Sequence, residues 1–297
     1  MSWDMSSLLA KAFILIALAS VIGGAFCLLL SSHSALKIRR HLYNYVAIGA
    51  LVGFFASGLY FFVQIGAINQ SGLSGMLDRT MISILAQSGL GYASLIRVIA
   101  FFMIVIFFVF KTRFSKSEAL NFGGFSILFF SIAMLLLVYS FSLIGHVTEL
   151  QFLAGVAVGL HILAVSLWVG SLYPLWYLCK LEKVERLQQI MRRFGELAMV
   201  FVGLLILSGV FLLTQLLEAP IELISTSYGL TLLFKLTGVV ALLSLGAINK
   251  LRLVPGLTHA KGVIHLQNSI ALEIALAFVV LMITAYLTTL VGLGHSG

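Results

Sequence analysis

Residues 152–178 read FLAGVAVGLHILAVSLWVGSLYPLWYL, and residues 179–196 continue as CKLEKVERLQQIMRRFGE. The first stretch carries no Asp, Glu, Lys or Arg and exceeds the roughly 20 apolar residues that cross a bilayer core. The second holds Lys180, Lys183, Arg186, Arg192 and Arg193. Together they read as a membrane span running into a basic connection, the arrangement that keeps such a connection cytoplasmic.

The same alternation extends in both directions. Eight apolar segments are long enough to span, at roughly 8–30, 44–66, 91–110, 122–144, 152–178, 197–216, 228–248 and 269–291. The chain is 61% hydrophobic and 9% charged, against about 25% charged in soluble domains. The fold expected is all-α: a polytopic integral membrane protein of eight transmembrane helices, with the lipid bilayer as its main partner. No gap is long enough for a soluble domain. Lys37, Arg39 and Arg40 lie in the first gap, and Lys111, Arg113 and Lys116 in the third. With the five already named and Lys250, Arg252 and Lys261 in the seventh, fourteen of the eighteen basic residues fall in alternate gaps. That places both termini on the periplasmic or external side of a bacterial inner (plasma) membrane. It also argues against nucleic acid as the reason for the net charge of +8. Asp4 and Lys11 before the first apolar run do not make a secretory signal.

The two halves resemble each other. Ser57-Gly58 with Gln64 matches Ser208-Gly209 with Gln215; Gly91 with Arg97 matches Gly229 with Lys235; Gly23-Gly24 resembles Gly170-Ser171. The reading is one integrated membrane domain built of two four-helix repeats, 1–150 and 151–297. An even number of helices per repeat gives both copies the same orientation.

Polar groups inside a bilayer need a partner or a purpose. His161 lies about nine residues into the fifth span, or about 13 Å at 1.5 Å per residue. His146 and Glu149 occupy the short gap before it. Imidazole suits copper and zinc, so His146, His161 and Glu149 read as a metal site; the other reading of His161 is a core histidine bonded to a carbonyl. Arg97 and Lys235 either snorkel to the interface or pair with outer carboxylates or an anionic ligand. Glu273, taken as little more than one turn into the last span, is expected to pair with Arg252, Lys250 or Arg193, or to cap a polar exit path, with Asn249 and Glu196 in the same layer. Met76 and Met81 offer thioether for outer capture of a soft metal, or are packing material. Cys27 and Cys179 read as inert thiols or soft-metal acceptors, and His33, His41, His259 and His265 as solvated surface histidines. No phosphate-binding loop, HExxH or GxSxG motif is present; the expectation is a protein that is not an enzyme.

An ordered set of motifs resembles the copper resistance protein D family. It comprises Gly145-His146; His161 with Trp168-Val169-Gly170; Arg193-Phe194; Ser208-Gly209; Tyr228-Gly229 with Lys235; Gly246-Ala247-Ile248-Asn249-Lys250 with Pro255; Ser269-Ile270 with Glu273; and Thr284-Ala285-Tyr286-Leu287. The resemblance covers about 145–287, and the first half fits more loosely. It implies an eight-helix inner-membrane protein handling copper, with His146 and His161 as ligands and Trp168, Lys235, Asn249 and Glu273 as family core. Gly195 departs from the family's frequent Ser, and Ile14 stands where a symmetric site would need a second His. The function expected is copper homeostasis, as a permease moving copper ion from periplasm to cytoplasm. The alternatives are a haem-binding or quinone-linked redox protein and a non-transporting partner of a periplasmic copper-binding protein.

Overall fold

The computed structural model describes residues 3–70, 72–114, 124–144, 152–217, 219–257 and 259–291. Among them the chain is helical throughout, with no strand. The long helices are α1 (Trp3–Leu30), α2 (Leu36–Asn69), α4 (Gly89–Phe114), α6 (Phe152–Leu181), α7 (Val184–Leu216), α9 (Ser227–Ile248) and α10 (Ala260–Tyr286). Seven stretches are long and apolar enough to cross a membrane; α5 (Gly124–Tyr139) is a shorter apolar helix in the fourth expected segment. Two short helices sit in connections. Asp78 caps α3 (Arg79–Ala86) by accepting from the Met81 N–H at 2.9 Å, and α8 (Glu222–Ser225) precedes α9.

The outward surface is one that only lipid tolerates. On α2, Ile48, Leu51, Phe55, Leu59 and Phe62 are all exposed and recur at helical spacing. The interior is built from small residues that let backbones approach. A Cβ on Gly24 would meet the side chains of Val46 and Tyr45, and one on Gly53 would overlap the Phe101 ring, so α1 packs on α2 and α2 on α4.

The central contact is between α1 and α6. A Cβ on Gly23 would overlap the Gly170 backbone, and a Cβ on Gly170 would overlap the Ala19 carbonyl. Only glycine fits at either place. Pro174 lacks an N–H and so frees the Gly170 carbonyl within α6; the Tyr45 hydroxyl donates to it at 3.2 Å. The Ser171 hydroxyl reaches the Gly23 carbonyl at 3.3 Å from the other side. Around this crossing, α6 packs on α7 and α10, and α9 on α10. Helices α7 and α9 share no extended interface among the described residues.

Candidate functional site

His161 stands nine residues into α6, as the sequence places it, at the end of the bundle away from the basic connections. Its Nδ1 lies 3.3 Å from the Ser208 hydroxyl on α7. That hydroxyl donates to the Leu204 carbonyl at 2.6 Å and lies 3.2 Å from the Leu205 carbonyl, so its lone pairs face the imidazole. The ring also bonds the Leu205 backbone and lies in electrostatic range of Lys235. It packs on Gly209, where a Cβ would come within 3.3 Å of Cε1. A neutral imidazole has one N–H. If Nδ1 carries that N–H toward Ser208 and the adjoining Leu205 carbonyl, Nε2 keeps its lone pair as a ligand position, the usual division of labour at a metal-bound histidine.

His146 and Glu149, expected beside His161, lie outside the described residues. Among the described residues no group of three or more His, Cys, Asp or Glu comes together. Met76 and Met81 are half-buried in the connection between α2 and α4; Met76 lies near Gly66, where the Trp3 ring also packs.

Several expectations need correction. Arg97 is buried rather than snorkelling, and no carboxylate among the described residues pairs with it; Glu149 and Glu218 lie outside them. The Arg97 side chain is 3% exposed, and its Nε donates to the Ser140 hydroxyl at 2.9 Å. Nη2 reaches the Ser140 carbonyl at 3.4 Å, and the guanidinium lies 4.1 Å from the Phe141 ring centre. Charge-assisted hydrogen bonds and a π face make a buried cation tolerable without an anion. Arg97 and Lys235 are each eight residues from the start of their helices, Gly89 and Ser227. Lys11 is a further cation within a span; it donates to the Thr288 carbonyl at 3.0 Å.

Helix α10 begins at Ala260 rather than near 269, so more of the helix precedes Glu273 than the apolar run indicates. Glu273 is thirteen residues, or about 20 Å, from the helix start. Its partner is not Arg252, Lys250 or Arg193 but Asn249, whose Nδ2 donates to Oε1 at 2.8 Å. A Cβ on Gly246 would lie 3.5 Å from the Trp168 ring and 3.8 Å from Glu273 Oε1. Trp168, Asn249 and Glu273 therefore gather around one glycine. Glu196 pairs with Arg192 at 3.3 Å and lines a cleft of about 390 Å³ with Gln188, Met191 and Lys250, the residue after Asn249. His41 is not a solvated surface group, since it stacks on Tyr177 at 3.7 Å and bonds the Tyr173 hydroxyl at 2.9 Å. Cys27 and Cys179 are buried free thiols.

The sequence reading missed Ser140 and Phe141 as partners of Arg97. Both lie at the end of an apolar run, and a polar residue there was the available signal. It noted Ser208 as half of a repeated Ser-Gly pair without joining it to His161.

Comparison with known families covers both halves. The family described as Copper resistance protein D-like, N-terminal domain, matches residues 2–156, and Copper resistance protein D matches residues 188–287. No curated protein and no solved structure matches the chain. The first match takes in the half where the motifs are sparse, and the second holds Ser208, Lys235, Asn249 and Glu273. The chain belongs to the copper resistance protein D family, and is a multi-helix membrane protein of copper resistance and homeostasis.

Proposed function

We propose that the protein is a copper permease rather than an enzyme, and that it moves copper from the periplasm to the cytoplasm through its second half. His161 is the intramembrane ligand. His146 and Glu149, which precede α6 in the sequence, are the further ligands assigned, and Met76 and Met81 assist capture. The observation that carries the reading is the His161–Ser208 contact in a chain of a copper family. A serine whose own proton is committed to the Leu204 carbonyl is suited to hold the imidazole with Nε2 open. Lys235, near the imidazole, opposes a cation; Glu149 is the group assigned to offset it. Both termini lie outside in this scheme, because the basic connections stay in the cytoplasm.

The test is copper accumulation in cells overproducing the chain. His161→Ala lowers accumulation to the level of cells without the protein, at equal amounts in the membrane. Accumulation unchanged in that variant argues against the reading. Copper flux into proteoliposomes holding this chain alone separates a permease from a partner of a periplasmic copper protein. A Soret band in the purified protein favours haem instead.

A further inference from the structure

Glu273 is 3% exposed, in the interior of a span, and Asn249 is its one hydrogen-bond partner among the described residues. No cation among the described residues pairs with it. On α6, which packs against α10, the ionisable groups are His161, Tyr173, Tyr177, Cys179 and Lys180. On α9 and the following π turn they are Tyr228, Lys235, Lys250 and Arg252. On α1 they are Asp4, Lys11 and Cys27, and on α10 itself Lys261, His265 and Tyr286. The ion pair found among the described residues is elsewhere, between Arg192 and Glu196. An isolated carboxylate in this setting carries a desolvation cost of several kcal/mol.

A second atom points the same way. Asn249 Oδ1 is buried and has no hydrogen-bond partner. An acceptor orphaned away from water is destabilising. One proton removes both difficulties. A protonated carboxyl keeps an acceptor oxygen for Nδ2 and gains an O–H donor for Oδ1, closing a two-bond acid–amide pair. Asn249 also opens a π turn, Asn249–Leu253, with the Val254 N–H on its carbonyl at 2.9 Å. Such turns are frequent at functional sites.

We propose that Glu273 and Asn249 form a proton-binding site buried within the helix bundle, and that its proton is released when copper occupies the His161 end of α6. The link is α6 itself. His161 and Trp168 are seven residues apart on one face, about 10 Å along a rigid helix, and Trp168 lies beside Glu273 over Gly246. A singly charged copper entering while one proton leaves as hydronium keeps the buried charge constant: the O–H bond breaks, its electron pair stays on the carboxylate, and nothing is oxidised. The coupling rests on the permease reading; the proton site does not.

Infrared difference spectroscopy on the full chain in lipid tests both parts. Glu273→Gln preserves one acceptor and a donor toward Asn249, and so mimics the protonated state. The wild type at neutral pH shows a carboxylic-acid C=O band that E273Q lacks, and cuprous ion supplied from a chelate buffer diminishes that band. A pH dye shows the wild type releasing about one proton more per copper than E273Q. Absence of the band from the wild type, or its persistence in E273Q, overturns the proton site. A band that copper leaves untouched, with equal proton release in the two proteins, overturns the coupling. A wild type that binds no copper at all defeats the permease reading and the coupling, while the band still decides the proton site.

Discussion

The two halves of the chain treat the positions of their similar sequence motifs in opposite ways. In the first, Arg97 is buried against Ser140 and Phe141, and α2 closes on α4 through Phe101 over Gly53. Ser57 is fully buried with no hydrogen-bond partner, and Ile14 packs with Ala56 and Tyr60 on either side of it. In the second half Ser208 holds His161, Lys235 stands nearby, and α7 and α9 share no extended interface among the described residues. The first half satisfies its cation in place and fills the remaining space with hydrocarbon. The second keeps an imidazole, and its α7 and α9 do not close on each other among the described residues. The difference between the two halves lies in very few side chains.

The largest expected effect breaks the contact that joins the halves. Gly170→Val forces a side chain into the Ala19 backbone, which cannot yield as a flexible side chain would. Its cost exceeds about 3 kcal/mol, so little folded protein is recovered from membranes and thermal unfolding in detergent comes early. Gly203→Val, at a position with open space, is the control.

A smaller effect separates the two serines. Ser208→Ala removes the group orienting His161, and copper affinity measured by competition with a chelator falls about 10- to 100-fold. Ser57→Ala removes a hydroxyl with no hydrogen-bond partner, so affinity stays unchanged and stability shifts by less than about 0.5 kcal/mol. Equal effects from the two would erase the distinction between the halves.

The smallest effect comes from the neighbouring glycines. Gly58 has nothing within 4 Å of an added Cβ, whereas one on Gly209 lies 3.3 Å from His161 Cε1. Gly58→Ala is neutral or slightly stabilising in thermal unfolding, as helical Gly→Ala changes often are. Gly209→Ala displaces the imidazole by a few tenths of an ångström and lowers copper affinity by about threefold, roughly 0.6 kcal/mol.

Hydropathy found the apolar segments and the depth of His161, because α6 begins at Phe152 where the apolar run begins. It failed where helices continue past the oil. Helix α2 begins at Leu36, ahead of Arg39 and Arg40, and α7 at Val184, ahead of Arg192 and Arg193. Lys, Arg, Leu and Gln are good helix formers, so backbone bonding persists where the apolar signal stops. Lys250 and Arg252 follow Asn249 in the sequence and carry the charge a carboxylate is expected to seek, yet the amide makes the contact. The Arg97–Ser140 and His161–Ser208 pairs were out of reach for another reason. Each joins residues more than forty positions apart, and no local pattern says which faces of two helices meet.

The central claim is that the imidazole of His161 binds copper. Its most direct test is the copper content of purified protein loaded with cuprous ion, wild type beside His161→Gln, with folding of both checked by thermal unfolding. The account predicts bound copper in the wild type and its loss in the folded variant. A variant that retains the full wild-type content would contradict it.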